Sequence, residues 1–255
     1  MRIFGLVGFP LSHSFSEKYF SKKFEQEKIF DSQFRNFSIE RIEEVEKIFE
    51  IPELTGLSIT IPYKQSVIRY LDEIDESARE VGAVNSISIR NELGKIKEKI
   101  GFNTDAYGFE NSLLKFFANA QISKSELQKI KALVLGTGGA SKAVAFVLKK
   151  LEIDFTFVSR TRKAGVITYT DLKPQIILEH KLIVNTTPLG MFPDISVAPD
   201  IPYSFITSEN LLYDLTYNPA ETEFLKRGKL QGAQVKNGLE MLQLQAEKSW
   251  EIWNS

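Results

Sequence analysis

Between Lys131 and Leu151 the chain passes from a short apolar run, Lys131–Leu135, into Gly136-Thr137-Gly138-Gly139-Ala140 and then into Ala143–Leu151, a helical stretch with little polar interruption. A buried strand, a glycine-rich turn and a helix in immediate succession are the opening of a βαβ unit. Glycines at such a turn let the backbone approach a pyrophosphate, and the helix start offers unpaired N–H groups and the positive end of its dipole. The pattern here is Gly136-x-Gly138-x-x-Ser141, with serine in the third glycine position. By itself the turn reads either as a dinucleotide site or as a tight connection without ligand, and the flanking strand–helix alternation favours the first.

The end of the next strand, Asp154–Ser159, bears on which nucleotide fits. A site for NAD usually carries Asp or Glu about 20 residues after the glycines, to hold the ribose 2′-hydroxyl. This chain reads Val158-Ser159-Arg160-Thr161-Arg162-Lys163, three cations and no acid. The cluster suits the 2′-phosphate of NADP, with Arg160 able to stack on adenine. Read without a ligand, it is a solvated basic turn.

Strands and helices alternate along the rest of the 255 residues, which predicts an α/β protein with largely parallel sheets. Strands are expected at Ile3–Val7, Phe34–Ser38, Leu57–Ile61, Leu182–Asn185, Leu211–Asp214 and around Val235, with a hairpin formed by Val84–Arg90 and Ile96–Phe102. Helices are expected over Ser14–Glu27, from a Thr104 cap, from Pro219 to Leu230 and over Leu239–Trp250. Length alone allows one large or two modest domains. Lys and Arg number 32 against 33 Asp and Glu, so the net charge of −1 offers no bulk field for a nucleic-acid backbone or an anionic membrane. No cysteine is present, which removes disulfides, thiol nucleophiles and Cys-ligated metals, and two histidines cannot build a multi-histidine metal centre. The first ten residues are interrupted by Gly5, Gly8 and Pro10 and read as strand and turn, not as a signal peptide, so a soluble cytoplasmic protein is expected.

Small polar groups stand where strands are expected to end, the place where open α/β sheets bind ligands. Ser12-His13-Ser14-Phe15-Ser16 is one such stretch, although Ser14-x-x-Glu17 also reads as a capping box. Thr60-Ile61-Pro62-Tyr63-Lys64 leads to a lone lysine, which solvation alone would explain. Gly82-Ala83-Val84-Asn85 leads into a strand. Asn103-Thr104-Asp105 puts a carboxylate at a helix start, where the dipole favours it in any case.

Taken in order along the chain, these segments resemble the shikimate dehydrogenase family over nearly the whole length. The resemblance begins with Gly8–Ser16, Thr60–Lys64, Gly82–Asn85 and Asn103–Asp105. It continues through Gly136–Ala140, Ser159-Arg160-Thr161, Asn185–Met191, Tyr217-Asn218-Pro219 with Thr222, and Asn237-Gly238-Leu239 with Met241 and Gln245. It implies an N-terminal α/β substrate domain over 1–103, a Rossmann-type NADP-binding domain over 104–237, and a C-terminal helix, 238–255, that returns to the substrate domain. The implied activity is the reversible NADPH-dependent reduction of 3-dehydroshikimate to shikimate, a step of chorismate and aromatic amino-acid biosynthesis, by a monomer or homodimer. A quinate/shikimate dehydrogenase with broader substrate or cofactor use, and a non-catalytic shikimate-binding sensor, are the alternatives.

By motif match the resemblance makes Lys64 and Asp105 the catalytic pair. Ser14, Ser16, Thr60, Asn85, Tyr217 and Gln245 join them around substrate. Gly136, Thr137, Gly138, Gly139, Ala140, Ser159, Arg160, Thr161 and Lys163 would line the NADP site, with Leu215, Gly238 and Met241 toward the nicotinamide. Hydride arrival at a ketone leaves an oxyanion that must take a proton, and Lys64 supplies charge and protons for it. Gly238, Met241 and Gln245 are spaced three and four apart, hence on one helical face; Met241 as plain core filling fits the same spacing. Three positions depart from the family pattern: Glu17 for proline, Ser58 for an asparagine before Thr60, and Ser159 for an asparagine beside Arg160. The segment 164–181 is short for the family's crossover helix, so an abbreviated connection is expected there.

Overall fold

In a computed structural model that describes residues 1–11, 15–92 and 95–255, the apolar runs become two six-stranded sheets. The chain divides into one unit of residues 1–104 with 246–255 and another of residues 105–245.

The first unit holds β1 (Arg2–Gly8), β2 (Ser32–Ser38), β3 (Leu54–Ile59), β4 (Glu73–Ile74), β5 (Ser86–Glu92) and β6 (Lys95–Phe102), ordered β2-β1-β3-β5-β6-β4. Strand β1 runs parallel to β2 and β3, whereas β5 is antiparallel to β3 and β6, the expected hairpin. Side chains alternate across β1 as the two-residue period requires. Ile3 and Val7 join Leu57, Ile59, Ile87, Val45 and Ile48 in one core. Phe4 and Leu6 join Phe20, Phe24, Phe34 and Trp253 in the other. The helices are α1 (Phe15–Gln26), α2 (Val45–Phe49) and α3 (Glu76–Val81). Asp75 caps α3 by accepting from Ala78 N at 2.9 Å, and Gly82, at φ +68°, ends it in the left-handed conformation.

The second sheet is parallel throughout. Its strands are β7 (Lys131–Leu135), β8 (Asp154–Ser159), β9 (Val166–Thr168), β10 (Leu182–Asn185), β11 (Leu211–Asp214) and β12 (Gln234–Lys236), ordered β12-β11-β10-β7-β8-β9. Order therefore reverses between β7 and β10, the switch point at which doubly wound sheets bind ligands. Helices α4 (Thr104–Asn119), α5 (Lys124–Leu127), α6 (Gly139–Lys150), α7 (Pro174–Glu179), α8 (Glu223–Leu230) and α9 (Leu239–Trp253) complete the element order. Helix α7 is under two turns long and follows a single turn of 3₁₀ helix at Tyr169–Asp171, in the segment expected to be abbreviated. No helix among the described residues is long and apolar enough to cross a membrane.

Several expectations shift. The helix expected from Pro219 starts at Glu223, because Thr222 is its cap and accepts from Leu225 N. Thr104, expected as a cap, is the first helical residue of α4, and its hydroxyl is engaged elsewhere. The division expected at 237/238 falls at 245/246, and the earlier one at 104/105 instead of 103/104. The first half of α9 packs closely on α4, where a Cβ on Gly108 would lie 2.5 Å from Met241 O and 3.2 Å from Gln245 Cβ.

His180 follows α7 with its Nδ1 2.7 Å from Ile176 O. Burial holds its imidazole below the ordinary value of 6.5, so the fold favours the neutral ring. The stabilisation is present above 6.5 and is lost as pH falls below it, when the unfolded chain takes up the proton first. Thermal melts of wild type and His180→Gln from about pH 8 to about pH 5 should show a smaller acid-side loss in the variant. Equal losses would remove His180 from the acid response.

Candidate active site

In the parallel sheet the nucleotide-side candidates follow the carboxyl ends of β7, β8, β11 and β12. Gly136 leaves β7 at φ +105°, donating its N–H to Val158 O at 2.8 Å. A Cβ there would come within 2.8 Å of Thr186 Oγ1, so only glycine lets the turn lie against the loop after β10. Gly138 caps α6, and apart from the adjoining backbone no atom of the described residues comes within 4 Å of the place where a Cβ on Gly138 or Gly139 would stand. Thr137, Gly138 and Gly139 are exposed and Ala140 half-buried, so the mouth of the turn is open over the helix start. Ser141 turns its hydroxyl back to Gly138 O at 2.7 Å, which explains how serine serves in the third glycine position.

Ser159 ends β8, and its Oγ accepts from Thr161 N at 3.3 Å, so the departure from asparagine closes a local turn. Of the three cations that follow, Arg162 is already paired: its Nη2 lies 2.9 and 3.1 Å from the two oxygens of Asp171. That carboxylate also accepts from Thr168 N and Oγ1, and these bonds together with Arg162 hold its pKa below the usual range. The expected basic cluster is thus smaller by one. Arg160 and Lys163 are exposed and form no ion pair among the described residues. An open glycine turn beside two such cations fits a pyrophosphate and an additional phosphate.

Leu215 and Gly238 lie against each other. Gly238 N donates to Thr216 O at 3.1 Å, and a Cβ on Gly238 would overlap the Leu215 carbonyl. Met241 is buried in the first turn of α9. Tyr217, half-buried two residues past Leu215, has its phenol pKa raised by burial.

Within the first unit, Thr60, Lys64 and Asn85 converge through the backbone. Ile59 N donates to Asn85 O at 2.8 Å, Thr60 N to Val7 O at 2.9 Å, and Val84 N to Lys64 O at 2.7 Å. Lys64 is half-buried and Asn85 buried. The Asn85 amide is oriented by Thr104: its Oδ1 accepts from Thr104 N at 2.6 Å, and its Nδ2 donates to Thr104 Oγ1 at 3.0 Å. The same hydroxyl lies 3.1 Å from Ser249 Oγ. Asp105, also buried, follows Thr104 in the chain and occupies the first turn of α4. Ser16 is half-buried at the start of α1, while Ser14 lies outside the described residues. Gln245, half-buried on α9, belongs to the second unit.

Sequence reasoning missed the polar groups that hold these candidates in place. Ser249 looked like any helical serine. Asp214 looked like the end of a strand, yet it is fully buried and accepts from Thr222 Oγ1 at 2.6 Å, Thr216 N at 2.9 Å and Asn185 Nδ2 at 3.1 Å. The available signal was a lone carboxylate closing the apolar run Leu211–Asp214, which burial makes costly unless donors await it.

The sequence model described as the shikimate dehydrogenase substrate binding domain matches residues 6–87. A curated shikimate dehydrogenase (NADP(+)) of Clostridium beijerinckii is 36% identical, with 99% of this chain and 92% of that protein covered. Among solved structures, a chorismate mutase/shikimate 5-dehydrogenase fusion protein from Clostridium acetobutylicum superposes with a TM-score of 0.84 at 35% identity, covering 100% of this chain and 91% of the other. Shikimate 5-dehydrogenase from Thermus thermophilus, solved in complex with NADP(H) and shikimate, gives a TM-score of 0.81 at 28% identity, covering 99% and 93%.

Proposed function

From membership of the shikimate dehydrogenase family, to which this chain belongs, we infer that the protein is an NADP-dependent oxidoreductase acting on a CH–OH group, interconverting shikimate and 3-dehydroshikimate in aromatic amino-acid biosynthesis. The observation that carries this is the match through both units, glycine turn and lysine segment together, to dehydrogenases of that name. The same reading assigns the protein to the cytoplasm.

Gly136–Ala140 would hold the pyrophosphate and Ser159, Arg160, Thr161 and Lys163 the adenosine phosphate, with Leu215, Gly238 and Met241 beside the nicotinamide. The bound coenzyme supplies or accepts a hydride. The chain's own residues do the rest. Ser14, Ser16, Thr60, Asn85, Tyr217 and Gln245 bind the hydroxyls and carboxylate of the substrate. Lys64 gives a proton to the carbonyl oxygen during reduction and takes it back during oxidation, and Asp105 orients that exchange. The orientation of the Asn85 amide, set by Thr104 N, fixes which substrate atoms it can meet.

The test follows NADPH and NADH formation from shikimate and from quinate, each with NADP and with NAD. Turnover of shikimate with NADP is expected; its absence would overturn the assignment, and faster turnover of quinate would redirect it. In the same assay Arg160→Ala should raise KM for NADP by about 10- to 100-fold, the worth of a charge-assisted hydrogen bond, with little effect on NAD. Arg162→Ala should do far less, because Asp171 already holds that side chain. Unchanged discrimination between NADP and NAD in the Arg160 variant would place the 2′-phosphate elsewhere.

A further inference from the structure

Asp214 is fully buried at the end of β11 and is not among the groups assigned to substrate or coenzyme. Burial raises its carboxyl pKa, and the three hydrogen bonds from Thr222, Thr216 and Asn185 oppose the rise. An apolar side chain would fill the position without that cost, so the carboxylate calls for an account in terms of what its donors do.

The donors lead to one place. Thr216 N, held by Asp214, belongs to the peptide that follows Leu215, while Leu215 N donates to Asn185 O at 3.0 Å. Asn185 is itself oriented by Asp214, and its Oδ1 accepts from Thr187 N at 3.0 Å and Thr187 Oγ1 at 2.6 Å. Leu215 is thereby fixed on both sides. Gly238, bonded to Thr216 O and pressed against the Leu215 carbonyl without room for a Cβ, is fixed with it.

We propose that Asp214 is a positioning residue for the nicotinamide ring: without touching the coenzyme, it holds Leu215 and Gly238 in the one arrangement that orients the ring for hydride transfer. This rests on the reading above that Leu215 and Gly238 adjoin the nicotinamide. It separates two tasks in the second unit. The glycine turn and Arg160 hold the coenzyme, and the Asp214 network aims its reactive end.

The test uses the full chain and NADPH as probe, with Asp214→Asn and Thr222→Val compared with wild type. Asparagine keeps the shape of Asp214, and Thr222→Val removes one donor together with the cap of α8 while leaving the carboxylate. NADPH should bind both variants with Kd within a few-fold of wild type, because the adenosine phosphate contacts are untouched. The rise in nicotinamide fluorescence on binding should be lost in Asp214→Asn and reduced in Thr222→Val. Turnover should fall about 10- to 100-fold in Asp214→Asn, as for a reactive group misplaced by about 1 Å. The deuterium isotope effect from NADPH labelled at the transferred position should increase. A purely structural role would lower the melting temperature and the active fraction but leave bound-state fluorescence and isotope effect unchanged; that result overturns the proposal. Should Asp214→Asn not fold, Thr222→Val decides alone: wild-type fluorescence overturns the proposal and reduced fluorescence supports it. A wild type that binds NADPH with enhanced fluorescence but does not turn over shikimate overturns the dehydrogenase reading only, and the fluorescence comparison still decides the role of Asp214. A wild type that does not bind NADPH overturns both.

Discussion

Lys64→Ala should lower turnover of shikimate by about 10²- to 10⁴-fold, the range spanned by a single general acid–base group, while NADPH affinity stays near wild type. The reason is the electron count at the carbonyl. Hydride brings a bonding pair to the carbon and the π pair moves onto oxygen, so an alkoxide forms unless a proton arrives with it. Lys64 carries three donors on a flexible stem, and its backbone carbonyl is fastened by Val84 N, next to Asn85. Loss of the ammonium removes a transition-state interaction more than a ground-state one, so kcat falls and KM for shikimate moves little. Added primary amine should restore part of the rate, which a merely structural lysine would not show. Turnover within about fivefold of wild type, well short of the range for a general acid, would move the proton to another group.

Trp253→Ala should destabilise the first unit by about 3–5 kcal/mol, the usual cost of emptying a large aromatic site in a core. The ring is 4% exposed and lies 5.3 Å from the centroids of both Phe4 and Phe20 and 6.4 Å from Phe34. Beneath it Gly56 has no Cβ, because the indole takes that volume. Those neighbours come from three strands and a helix, so the void cannot close by one side chain turning over. For a unit of this size the loss corresponds to a fall of roughly 10–20 °C in melting temperature, read by near-ultraviolet circular dichroism. Phe30→Ala, at a side chain 82% exposed, is the control and should leave the melt in place. An unshifted melt in Trp253→Ala would contradict the packing described.

What was legible in the sequence follows from the range of the forces involved. The second sheet could be read because Lys131–Leu135, Leu182–Asn185 and Leu211–Asp214 are short apolar runs next to turns, a pattern set by neighbours in the chain. The hairpin of β5 and β6 was legible for the same reason. Pro219 misled because proline suits a first helical position as well as a turn, and Thr222, three residues on, supplies the capping oxygen that proline lacks. Arg162 read as a free cation because its partner, Asp171, lies across a turn whose shape the sequence does not show. The hydroxyl of Thr104 is contested by Asn85, 19 residues earlier, and by Ser249, 145 residues later. Choices among distant polar partners depend on the finished fold, and no local pattern announces them. For the candidate site, residue types were therefore readable from family motifs, but the groups that aim them were not.

The division of the chain gives the first unit an unusual history on the ribosome. Its six strands are made early, yet the indole that fills their aromatic side belongs to residues 246–255, synthesised after the whole of the second unit. Until that segment emerges, Phe4, Phe20 and Phe34 face water or one another, a sticky nascent surface of the sort that chaperones attend. The order of manufacture is thus opposite to the order of completion: the nucleotide-type sheet can mature while its elder neighbour still waits for the last turns of α9.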